Sequence, residues 1–77
     1  MKYLNELNCG DEAKVCDILA KGTLNRRFLD IGIIEGTNIK CVAVSPQGDP
    51  KAFLIRGAVI AIRNKDTAHI RIGDADE

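Results

Sequence analysis

Two glycines four positions apart, Gly32 and Gly36, divide the stretch RRFLDIGIIEGTNI (residues 26–39) into two halves with different periodicities. Before them, Leu24, Phe28 and Ile31 fall at helical spacing and Leu29 widens the stripe, which predicts a short helix from about Leu24 to Ile31 with one side against a core. Thr23 stands where a hydroxyl can accept from the first free amides, so it is the expected cap. After the glycines, Thr37, Ile39, Cys41 and Ala43 alternate with Asn38, Lys40, Val42 and Val44, the period of a strand over 37–44. Gly32 is expected just past the helix end in a left-handed conformation, with Ile33 closing back on the last turn. Gly36 is expected to supply a positive φ in a turn over 34–37.

The rest of the chain is read around this helix-to-strand switch. Leu4 and Leu7 suit one short turn that lies over the core as a lid. Residues 13–19 alternate as a first strand whose inward face the pattern does not settle. SPQGDPK (45–51) is the plainest loop. AFLIR (52–56) and VIAIR (59–63) are apolar strands joined tightly through Gly57 and Ala58. Asn64 is the expected cap of a single helical turn, and HIRI (69–72) is a last strand with Ile70 and Ile72 on one face. GDADE (73–77) is an acidic tail expected to be mobile. About five short strands with one short helix after the first describe a mainly β, SH3-like barrel. An OB fold is the rival, but it places its helix between the third and fourth strands.

Seventy-seven residues make one small domain, 1–77. Eleven basic residues balance eleven acidic ones, so no net field draws the chain onto phosphate backbones, and nucleic acid is not an expected partner. No apolar run approaches the roughly 18 residues of a membrane helix, and the start carries no secretory pattern. A cytoplasmic location without direct membrane insertion is expected. Cys9, Cys16 and Cys41 are an odd set with no close pair, read as reduced thiols filling space. Together with His69 they are the alternative, a four-ligand metal site, but structural zinc sites show tight ligand pairs that this chain lacks.

The chain resembles the FeoA family. LNELNCGDEAKV, RRFLDIGIIEGTNI, SPQGDPKAFLIRG and VIAIRNKDTAHIRI carry the likeness, from Leu4 to Ile72. Its most specific parts are Arg27, Leu29, Gly32, Gly36 and Thr37, then GDP at 48–50 followed by Arg56-Gly57 and Ile62-Arg63. The resemblance implies an SH3-like barrel that acts with FeoB, a membrane transporter of ferrous iron bearing a cytoplasmic G domain. It equally brings in the C-terminal modules of iron-dependent repressors as an alternative, a metal-linked regulatory domain, which the lack of preceding DNA-binding helices disfavours.

The residues themselves offer little for catalysis. His69 alternates with core isoleucines and is expected on the surface. No phosphate-wrapping G-x-x-x-x-G-K-[ST] motif is present, so no bound nucleotide or other cofactor is expected. Tyr3, Phe28 and Phe53 are the only aromatics, and the two phenylalanines sit at core positions, too few for a proline-peptide groove. One histidine is also too few for a tight iron site, so no metal ligands are expected. The candidate contact residues are Arg26, Arg27 and Asp30 on the polar side of the helix. Two readings are open: Arg27 pairs with an acid such as Asp30 while Arg26 is solvated, or an exposed arginine meets the transporter's G domain as an arginine finger would. An exposed strand edge could also pair weakly with a second copy.

Overall fold

The computed structural model describes residues 2–74. Of the acidic tail expected over 73–77, Gly73 and Asp74 are corrected to part of the last strand, paired with Lys14 and Ala13, and residues 75–77 lie outside the described residues. Along the chain run β1 (Lys2–Tyr3), a 3-10 turn (Leu4–Glu6), β2 (Glu12–Ile18), α1 (Gly22–Ile31), β3 (Asn38–Val44), β4 (Lys51–Ile55), β5 (Ala58–Ile62), α2 (Asn64–Thr67) and β6 (Ile70–Asp74). The strands form one antiparallel sheet in the order β1-β6-β2-β3-β4-β5. This is the expected mainly β architecture, with the helix after the first long strand. The sixth strand is β1, two residues paired with β6 through Lys2↔Ile72 and Tyr3↔Arg71, too short to leave a periodicity. The sheet is open as a ladder of hydrogen bonds: β1 and β5 are its two ends.

The core gathers Leu4, Val15, Phe28, Ile33, Ile39, Phe53, Ile55 and Ile70, each 2% exposed or less. The open question about β2 is answered by Ala13 and Val15, which face inward, and a bulge between Val15 and Asp17 shifts the register there. A second bulge between Cys41 and Ala43 turns Ala43 outward, which ends the alternation expected for β3. Of the three cysteines only Cys41 fills core space; Cys9 and Cys16 are exposed, contrary to expectation.

The helix-to-strand switch is built as its glycines imply. Gly32 has φ +102, its N–H donates to the carbonyls of Phe28 and Leu29, and the Ile33 N–H reaches back to Phe28 at 2.9 Å. Ile33 is fully buried under the last turn. The turn over 34–37 closes through Thr37 N–H to Ile34 O at 3.1 Å, with Gly36 at φ +89. Thr37 adds a clasp: its Oγ1 accepts from Ile34 N–H (3.1 Å) and donates to Gly32 O (3.3 Å). Two further bonds, Val15 N–H to Thr37 O and Gly36 N–H to Val15 O, fasten the turn to β2 at its bulge.

Several local expectations are corrected. The helix starts at Gly22 with Lys21 at its cap, and no side-chain bond caps it, so Thr23 lies inside the first turn. Leu29 is 48% exposed, because one residue, about 100° of helix rotation, carries it past the core-facing Phe28. The β4–β5 turn is Arg56-Gly57, with φ of 49 and 87, a two-residue connection whose left-handed residues suit the right-handed twist of the flanking strands. Asn64 does not cap α2. Its own N–H donates to Asp49 Oδ1 (2.8 Å) and its Nδ2 to Gly48 O (3.0 Å), so the 45–50 loop supplies the acceptor for the helix start.

The N-terminal lid forms as expected over Leu4 and Leu7, both buried. What holds it is Lys51, a buried side chain whose ammonium donates to Asn5 O (2.6 Å) and Leu7 O (2.8 Å). An ammonium out of water needs such acceptors, and the two carbonyls would otherwise be unpaired.

Candidate functional site

The polar side of α1 separates the three expected contact residues. Arg26 and Asp30, one helical turn apart, come together as an ion pair of 3.9 Å, with side chains 80% and 71% exposed. Of the two open readings, the one that paired Arg27 with Asp30 and left Arg26 solvated is corrected in its partner: Asp30 goes to Arg26. In water such a pair is weak, and both groups stay open to a partner.

Arg27 turns the other way. It stands three residues after Leu24 and four before Ile31, on the border of the apolar stripe, and it overhangs a groove of about 370 Å³ between α1 and β5. Leu24, Phe28 and Ile31 of α1 form one wall of that groove and Ile60, Ala61 and Ile62 of β5 the other. Its far rim is made by Arg63, Lys65 and Asp66, at the end of β5 and in α2. Among the described residues the ion pairs are Arg26–Asp30 and Arg71–Asp17, so Arg27, Arg63 and Lys65 pair with no carboxylate among those residues. Three cations against one acid make the rim positive over an apolar floor.

Sequence reasoning missed Arg63 and Lys65 as members of a site. The signal was an uncharged run, AVIAI, ending in Arg63, but only the folded chain shows that α1 lies across from it.

Other candidate groups lie elsewhere. His69 is exposed in the turn before β6, where its carbonyl accepts from Leu19 N–H. Cys41, fully buried, has its thiol pKa raised above the ordinary 9.0, first by burial, which disfavours the thiolate. Among the described residues no three His, Cys, Asp or Glu side chains converge as metal ligands. Among them, too, no helix is long and apolar enough to cross a membrane.

The FeoA domain model matches residues 2–73. The chain belongs to the FeoA family. A Fe(2+) transport protein A/Fe(2+) transporter FeoB fusion protein of Porphyromonas gingivalis is 30% identical over 69 residues, which are 90% of this chain and 8% of the fusion. This FeoA-family chain thus spans less than a tenth of that relative. The solution structure of FeoA from Chlorobium tepidum superposes with a TM-score of 0.85 at 30% identity, covering 92% of this chain and 68% of that one. A zinc-complexed FeoA of Stenotrophomonas maltophilia, described as a prokaryotic SH3 domain protein, shares the fold at 22% identity with a TM-score of 0.83, over 95% of this chain and 91% of that one. The fold is SH3-like, as expected, with its ladder left open between β5 and β1.

Proposed function

We propose that this FeoA-family chain is a non-enzymatic, cytoplasmic accessory protein of bacterial ferrous-iron uptake that works by contact with the G domain of a FeoB-type transporter. The observation that carries this reading is the fused relative, in which a FeoA part and a FeoB part share one polypeptide. Fusion keeps two domains at high effective concentration, which suits partners that meet repeatedly. The same relative favours transport over a repressor-type regulatory module.

The contact surface in this proposal is the exposed side of α1. Arg26 and Asp30 offer a guanidinium and a carboxylate to solvent, and Arg27 adds a second guanidinium at the groove. Arginine recognises carboxylates and phosphates through paired N–H donors, so a G-domain surface or its nucleotide is a fitting counterpart. The test measures GTP hydrolysis by the transporter with wild-type protein, with Arg26→Ala and with Arg27→Ala. A drop of about tenfold or more in the stimulated rate with either variant is expected of an arginine that touches the nucleotide. Rates equal to wild type for both would remove α1 from the contact.

A further inference from the structure

We infer that the free edge of β5, together with the groove beside it, is a strand-addition site for an extended partner segment that combines apolar side chains with carboxylates. The inference deepens the docking reading and rests on it in one respect, that this side of the molecule faces another protein.

The register of the β4–β5 hairpin decides which backbone groups are free. A two-residue turn is closed by a hydrogen-bonded pair, here Ile55↔Ala58, and bonded pairs then recur at every second residue, at Phe53↔Ile60 and Lys51↔Ile62. The N–H and C=O of Ala58, Ile60 and Ile62 are therefore spent on β4. Those of Val59 and Ala61 point away from it, toward the side where β5 has no neighbouring strand. Some natural sheet edges are covered by a helix or loop, whereas here α1 is set off from β5 by the groove; others are protected by charges, proline, bulges or brevity. Among the described residues β5 uses none of these: it is five uncharged residues in regular register, and Val59 is 64% exposed. An added strand would take up two N–H donors and two C=O acceptors.

The groove specifies the chemistry of that strand. Side chains opposite Ile60 would point into the groove, toward the α1 wall of Leu24, Phe28 and Ile31, whereas those opposite Val59 and Ala61 would lie on the outer face. At the rim the first set arrives at Arg27, Arg63 and Lys65, which form no ion pair among the described residues, with Asp66 the one acid beside them. A glutamate matches both parts of the surface, with methylenes on the floor and a carboxylate at the rim. A second copy of β5 is disfavoured by the same charges. Antiparallel pairing about Ile60 would set Arg63 of each copy against Gly57 of the other, beside Arg56, at both ends of the ribbon.

The experiment titrates isotope-labelled protein with three capped peptides: alternating valine and glutamate, alternating valine and lysine, and the first sequence N-methylated at every second residue. Saturable shifts and slowed exchange at the Val59 and Ala61 amides are expected with the first. The lysine and N-methylated peptides, and the Arg63→Glu variant with the first peptide, should each bind about tenfold more weakly or worse. Unmoved Val59 and Ala61 amides, or equal binding of all three peptides, would overturn the inference. So would sedimentation showing that the protein alone dimerises and that Val59→Lys abolishes the dimer. If peptide binding fails while the transporter still responds to the α1 variants, strand addition alone is lost. If the peptide binds and the transporter ignores those variants, only the G-domain reading is lost.

Discussion

Gly32 occupies a position with two constraints. Its φ of +102 is strained for any side chain, and a Cβ there would stand 2.6 Å from Arg56 Cδ. The arginine stem is flexible and can give way, so the backbone sets most of the cost. Gly32→Ala is expected to lower unfolding free energy by about 1–2 kcal/mol in a urea titration, and Arg56→Ala should recover only a minor part of it. At Lys51 the geometry argues for a larger effect. Replacing it with methionine keeps the bulk but strands the carbonyls of Asn5 and Leu7, and a loss of about 2–3 kcal/mol is expected. Amide exchange at Leu7, whose N–H donates to Leu4 O, should then accelerate ahead of the core strands. Cys41 gives a pH test. Its folded pKa is raised, so its contribution is complete below 9.0 and is lost as pH rises through the folded value, because the unfolded thiol ionises first. Stability of the wild type should fall more steeply in that alkaline range than that of Cys41→Val. Alkylation of the native protein should label Cys9 and Cys16 quickly and Cys41 only after unfolding.

Helix α1 was legible because its information is local. Leu24, Phe28 and Ile31 mark its buried side, and Gly32 followed by Ile33 marks its end, all within one short stretch. Truncating Phe28 to alanine should cost about 3–5 kcal/mol by denaturant titration, since the ring joins the helix to the sheet. What failed was whatever depends on a partner distant in the chain. The start of α2 takes its acceptor from Asp49, so Asn64 looked like a cap only in isolation. Arg26 and Arg27 are adjacent in sequence, yet Asp30 pairs with the residue four positions back rather than three, and Arg27 is left at the groove. The two bulges were equally hidden, because an extra residue in a strand leaves no mark on composition. Strand β5 showed its apolar character in the sequence, but not that it ends the sheet. Val59→Lys is accordingly expected to change stability by less than about 0.5 kcal/mol, as an exposed edge position should.

On the scale of the whole molecule the order β1-β6-β2-β3-β4-β5 joins segments from opposite ends of the chain, and the lid repeats that long reach through Lys51, 46 and 44 positions from its two acceptors. During synthesis the N-terminal segment leaves the ribosome first, while the side chain that will tether it has not yet been made. Leu4 and Leu7 must therefore wait, undocked, until β4 emerges, and a nascent chain stalled before residue 51 should leave its first turn open to proteases, however complete the helix behind it has become.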